Sequence, residues 1–162
     1  GARGADRRQR PGYTKASRGA SRAGFAETRS ASGQGFARLF NALGELDARL
    51  ATRRYLMGDA ITEADWRLFP TLLRFDPVYV GHFKCNLRRI ADYPQLSGYL
   101  RDLCQQPCIA ATVNIEHIKR HYYFTNEDIN PPRIVPLGPL RDFTSPPGRE
   151  PLSGGGRARN RG

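Results

Sequence analysis

The cysteines, histidines and tyrosines are the first groups to weigh for chemistry in this chain. Cys85 follows Lys84 and lies close to His82, a setting of the kind that lowers a thiol pKa. Cys104 falls near the predicted carboxy-terminal end of a helix, where the dipole disfavours a thiolate. Cys108 follows Pro107, and Gln106-Pro107-Cys108-Ile109 is not a Cys-Pro nucleophile motif. The cysteines therefore read as small buried hydrophobes, with Cys85 the least implausible reactive thiol, and no catalytic residue is assigned within this chain. A zinc site from His82, Cys85, Cys104 and Cys108 would lack a tight Cys-x-x-Cys knuckle. His117 and His121 are spaced to share a helical face but have neither a third ligand nor the glutamate of a metalloprotease motif. No metal is expected. Tyrosine phenols stay protonated at neutral pH and donate to an oxygen or to a developing anion. On the residues alone, Tyr79 and Tyr122 read as amphipathic rings with their hydroxyls in water.

The elements that must position these groups are helical. Phe36, Leu39, Phe40, Leu43, Leu46 and Leu50 recur at three- and four-residue steps, which predicts an amphipathic helix. Gly58 in Met57-Gly58-Asp59 closes the turn after it. The sharpest local signal follows, Ile61-Thr62-Glu63-Ala64-Asp65-Trp66. Thr62 is placed to accept from the Asp65 amide and the Asp65 carboxylate to accept from the Thr62 amide, a capping box flanked by Ile61 and Trp66 as a hydrophobic staple. The helix it opens carries Trp66, Phe69, Leu72, Leu73 and Phe75, with Pro70 inside it. Asp76-Pro77 loosens its far end, and Val78 to Asn86 reads as an irregular connection. Pro94 opens a third helix that stops before Pro107, and Asn114 precedes a short fourth. No segment alternates with period two, so the expected class is all-α.

Charge sits mostly at the ends. Residues 1–35 hold eight Arg/Lys against two acids, residues 36–140 thirteen against eleven, and residues 141–162 five against two. Both ends are poor in large apolar groups, and the sequence predicts disorder for 1–35 and 141–162 around one helical domain at 36–140. Arg-rich ends bind phosphates without any fold, but no aromatic interleaving supports specific nucleic-acid recognition. Arg or Asp interrupts every hydrophobic run, so no membrane span is expected. An odd number of cysteines without a leader pattern fits a reducing, cytoplasmic setting. The first residue is Gly1 and the only methionine is Met57, so the chain reads as a fragment.

Tyr55-Leu56-Met57-Gly58-Asp59 followed by Ile61-Thr62-Glu63-Ala64-Asp65-Trp66-Arg67-Leu68-Phe69 resembles the carboxy-terminal domain of glutathione transferases. Arg74 to Asn86, Ile90-Ala91-Asp92-Tyr93-Pro94 and His117-Ile118-Lys119-Arg120-His121-Tyr122-Tyr123 narrow the resemblance to glutathionyl-hydroquinone reductases, the Xi class. It runs from about Phe36 to Gly138 and weakly back to Ser21, with nothing similar before Ser21.

The resemblance implies a helical substrate domain whose partner is a thioredoxin-like domain that binds glutathione and supplies the nucleophilic cysteine. It implies that Tyr79 and Tyr122 bond the oxygens of an aromatic quinol-type substrate, and that the protein forms a homodimer. A third family tyrosine falls on Ser21, and the helix-forming stretch after it is replaced by Arg29-Ser30-Ala31-Ser32-Gly33, a departure in that wall of the pocket. The implied function is the substrate-pocket half of a glutathione-dependent reductase of glutathionyl-hydroquinones, inactive alone. The rival is a non-catalytic interaction module of the same fold.

Overall fold

The computed structural model describes residues 17–153, with side chains from 33 to 152. Four α-helices are described: α1 (Ser17–Leu50), α2 (Glu63–Arg74), α3 (Pro94–Cys104) and α4 (Ile115–Thr125). No strand occurs among the described residues, in agreement with the all-α expectation. Two units are distinguished, residues 1–38 and 39–162. The first is described only as the leading part of α1. That helix begins at Ser17 rather than Phe36, through a segment whose Ala, Arg and Glu residues favour helix without supplying an apolar face.

In the second unit, Leu43 and Leu50 of α1, Phe69, Leu72 and Leu73 of α2, and Leu96, Tyr99, Leu100 and Leu103 of α3 are buried, together with Phe75, Val78 and Ile90. Burying each such side chain contributes about 1.5–3 kcal/mol. Two carboxylates, half-buried Asp47 and buried Asp102, set how the helices meet. Asp47 near the end of α1 accepts from the amides of Gln95 and Leu96 at 2.9 and 2.8 Å, satisfying donors that the first turn of α3 leaves open. Asp102 of α3 grips Arg54 through two bonds of 2.8 and 3.0 Å.

The capping box at Thr62 and Asp65 forms, and its carboxylate does more than close α2. Asp65 is fully buried and accepts from the Thr62 amide (2.7 Å), the Thr62 hydroxyl (2.8 Å), the Leu56 amide (2.9 Å) and the Tyr99 hydroxyl (2.7 Å). Burial pushes this carboxyl up, but these donors outweigh it and hold the group below the usual carboxylate range. Ile61 and Trp66 are both half-buried, and Trp66 meets Phe69 edge-on at 5.9 Å. Gly58 adopts φ +132° in the turn before α2.

Two expectations change. Val78 to Asn86 does not begin as a loose connection. Phe75–Tyr79 forms a π-helical turn that continues α2, and the Val80 amide reaches back to the Phe75 carbonyl at 3.0 Å. Pro77 has no amide to return to Leu73, so the helix widens instead of stopping. Asp76 within this turn is buried and accepts from the amides of Ile90 and Ala91 at 2.6 and 3.1 Å, and it pairs with Arg141.

The second change concerns residues 141–152, which the sequence places in a disordered tail and which pack on the bundle. Arg149 is 2% exposed. Its guanidinium donates to the carbonyls of Leu50 (2.8 Å), Arg53, Arg54 (3.0 Å) and Gln95 (3.3 Å). Gly98 makes room for this strap, because a Cβ there would lie 2.7 Å from the Pro147 carbonyl oxygen. Composition concealed this, since a few polar contacts carry the docking, those of Arg149, the Arg141–Asp76 pair and the Gln105 amide on the Phe143 and Ser145 carbonyls. The disorder expected for 1–16 and 154–162 falls outside the described residues.

Candidate functional site

The π-helical turn decides the geometry of the site. By extending helical structure past Arg74, it stacks the Phe75 and Tyr79 rings at 5.6 Å with an interplanar angle of 9°. Phe40 of α1 meets Phe75 edge-on at 6.2 Å, and Tyr79 meets Phe83 at 5.4 Å. Phe83 in turn lies edge-on to Tyr122 of α4, at 6.0 Å and 86°. Tyr79 and Tyr122 thus both touch one phenyl ring, and both are half-buried. A row of rings runs from α1 through the π-helical turn to α4.

Behind the row sits His82, 3% exposed. Its ring is edge-on to Phe83 (4.9 Å), Tyr123 (4.8 Å) and Tyr122 (6.5 Å). Burial, reinforced by Lys84, lowers the His82 pKa and favours the neutral imidazole. Tyr123 is buried, its pKa raised chiefly by burial, and a Cβ on Gly81 would clash with its hydroxyl, so glycine is required where the loop meets α4.

The thiols are placed as packing groups. Cys85 and Cys104 are buried and Cys108 is exposed, all three free. Burial pushes the Cys85 thiol up and the Cys104 thiol up to about 11, opposite to what a nucleophile requires. Among the described residues, no three His, Cys, Asp or Glu side chains converge as metal ligands. Lys119 is 1% exposed, pairs with Glu116 and donates to the carbonyls of Pro136 and Leu137 at 3.0 and 2.7 Å. His117 lines a groove of about 570 Å³ with Asn114, Glu116, Arg120, Phe124 and Val135, and none of the row's rings lines that groove.

Sequence reasoning named Tyr79 and Tyr122 but missed what joins them. Phe75, Tyr79 and Phe83 are spaced by four residues, the signature of one helical face. The signal was hidden because Asp76-Pro77 reads as loosening the helix end and Val78 to Asn86 as an irregular connection.

Comparison with known proteins places this geometry in a family. The description "Glutathione S-transferase, C-terminal domain" matches residues 7–102. The match reaches further upstream than Ser21, which corrects the expectation that nothing before that residue resembles the family. The chain belongs to the glutathione S-transferase C-terminal domain family. Within it, the likeness is to glutathionyl-hydroquinone reductases and Xi-class transferases, as the motifs predict. The glutathionyl-hydroquinone reductase YqjG of Escherichia coli (strain K12) is 47% identical over 138 residues, covering 85% of this chain and 42% of that protein. The glutathionyl-hydroquinone reductase PcpF of Sphingobium chlorophenolicum is 49% identical over 129 residues, covering 80% and 41%. Among solved structures, the glutathione-bound YqjG of Escherichia coli K-12 superposes with a TM-score of 0.74 at 50% identity, covering 78% of this chain and 41% of that one. The Xi-class transferase of Natrialba magadii gives 0.74 at 49%, covering 75% and 38%. The chain spans about two fifths of the length of these relatives.

Among the described residues, no helix is long and apolar enough to cross a membrane.

Proposed function

We propose that this chain is the aromatic-substrate half of a glutathione-dependent reductase that converts glutathionyl-hydroquinones to hydroquinones. The observation that carries the reading is the contact of both Tyr79 and Tyr122 with the one Phe83 ring, both half-buried. Two phenol donors in contact with one ring suit a flat substrate with oxygens at its opposite ends, and a phenol that stays protonated at neutral pH stabilises the negative charge that develops on those oxygens. The thioether sulfur is attacked by a thiolate of a thioredoxin-like half; the bond from sulfur to the ring carbon breaks, that carbon takes up a proton from solvent, and hydroquinone is released as a mixed disulfide forms. A second glutathione, the co-substrate, resolves that disulfide. The two buried thiols with raised pKa values support leaving the nucleophile to that half. The reading includes a homodimer and a reducing, cytoplasmic setting, the latter supported by the three free thiols.

The test joins a thioredoxin-like domain of a relative upstream, with Ser21→Tyr, and measures glutathione-dependent release of hydroquinone from its glutathionyl adduct. Activity should appear and should fall in Tyr79→Phe and in Tyr122→Phe. Full activity in both variants would remove the tyrosines from the mechanism.

A further inference from the structure

His82 is the buried polar group that packing alone does not explain. A phenylalanine or leucine would fill the space behind Phe83 equally well, yet the position holds an imidazole whose Nδ1 is buried and has no hydrogen-bond partner. Leaving such an atom unpaired costs about 1–3 kcal/mol. The other nitrogen offers a reason. Nε2 lies 3.3 Å from Nδ2 of Asn126. With the Asn126 amide donating, Nε2 accepts and the ring proton rests on Nδ1, the atom left without a partner.

Asn126 is the C-cap of α4, and its backbone amide donates to the Tyr122 carbonyl at 3.3 Å. One residue therefore closes the last turn of the helix that carries Tyr122 and also meets His82. On the other side, the His82 amide donates to the Val78 carbonyl at 2.8 Å, anchoring the imidazole to the π-helical turn that carries Tyr79. The two elements bearing the tyrosines are thus joined through the polar edge of one histidine, while its faces and edges bound Phe83, Tyr122 and Tyr123.

We propose that His82 is a positioning residue of the quinol site, fixing the register of α4 against the π-helical turn through Asn126 and so the placing of Tyr122 relative to Tyr79. The proposal rests on the quinol-binding reading above and adds to it a residue that touches no substrate. With Nδ2 of Asn126 toward the ring, as the structure places it, Nε2 is the acceptor of the tie. Protonating the imidazole converts that acceptor into a donor facing a donor. The charged or titratable groups at the ring are Lys84 on its own loop and Tyr122 and Tyr123 on α4. No carboxylate among them would compensate an imidazolium.

The experiment is an NMR titration of the chain with 1,4-hydroquinone under reducing conditions, from pH 7.5 to 4.5, for the parent, His82→Phe, His82→Gln, Tyr79→Phe and Tyr122→Phe. The parent is expected to bind and to lose affinity on acidification, with a midpoint below that of a free histidine that survives His121→Gln. His82→Phe should keep the helical circular dichroism, bind about five- to tenfold more weakly at pH 7.5, and show no such midpoint. His82→Gln, whose carbonyl can accept from Asn126, should recover part of the affinity without the acid limb. Affinity in His82→Phe within twofold of the parent, with an unchanged pH profile, overturns the proposal while leaving the quinol reading intact if the tyrosine variants weaken. Should His82→Phe fail to fold, a parent affinity flat to pH 4.5 overturns it equally. A parent that binds no hydroquinone overturns both.

Discussion

The Tyr99 hydroxyl donates to the Asp65 carboxylate at 2.7 Å, so the cap that starts α2 is also a bond to α3. A capping box is ordinarily local, joining residues three apart. Here the same carboxylate also accepts from the Leu56 amide, which gathers the turn before α2, the helix itself and its neighbour on one buried group.

Asp65→Ala should therefore destabilise by more than the 1–2 kcal/mol or so that loss of a cap alone implies. Removing the carboxylate strands the buried Leu56 amide and Tyr99 hydroxyl, and a loss of about 3 kcal/mol is expected. Tyr99→Phe removes one donor and leaves the others satisfied, so about 1 kcal/mol should go. Urea midpoints at constant m-value decide both. Equal effects from the two variants would mean that the carboxylate is not the hub.

Acid should weaken the fold in two separable stages. The His82 pKa is depressed in the folded chain, so the unfolded state takes up the proton first. Its contribution to stability is intact above about pH 6.5 and declines as pH falls from there toward the depressed value. Asp65 is likewise held low in the folded chain. Its contribution is present above its ordinary unfolded value of about 3.9 and is lost as pH falls below that. Unfolding free energy measured from pH 7.5 to 3 should show both limbs. His82→Phe should abolish the upper one alone.

Arg149 supplies a third test. Truncation to alanine leaves carbonyls at the end of α1 without donors and opens a cavity beside Tyr99, whose ring centroid lies 6.0 Å from the guanidinium carbon. A loss of about 3 kcal/mol is expected. Arg149→Lys should not restore it, because an ammonium lacks the planar fork that reaches several acceptors at once. Gly98→Ala should release the strap by collision with Pro147. Limited proteolysis reads this as cleavage near residue 147 that the parent resists.

The isolated chain should show no glutathione-dependent turnover, because oriented binding without a nucleophile changes nothing between ground and transition state. Cys85→Ala should be silent in the joined enzyme. Turnover by the chain alone, abolished by Cys85→Ala, would falsify the assignment of the thiolate to another domain.

Wherever apolar residues repeat with the helical period, the sequence was legible. The starts of α2, α3 and α4 at Thr62, Pro94 and Asn114 follow from side chains that act on their own neighbours, and so did the capping box. Three features were not legible, and for related reasons. The π-helical turn at Phe75–Tyr79 depends on what Asp76 finds across the fold, the amides of Ile90 and Ala91. The burial of Lys119 carries no sequence signal, because beyond Glu116 one turn away its acceptors are the backbone carbonyls of Pro136 and Leu137. Arg149 sat in a stretch of proline and glycine that reads as unfolded unless the carbonyls it meets, some of them nearly a hundred positions away, are already known. Tyr79 and Tyr122 were named by family resemblance. The ring and the histidine between them emerged only with the backbone.

The strap also bears on how the chain acquires its shape during synthesis. The carbonyls of Leu50, Arg53 and Arg54 are made 99, 96 and 95 residues before the guanidinium that satisfies them. Until residue 149 leaves the ribosome, the end of α1 must hold water at those groups, and the helices cannot reach their final stability. A nascent chain halted a few residues short would keep that seam open. Closure of that seam is thereby deferred until the distant arginine has been made.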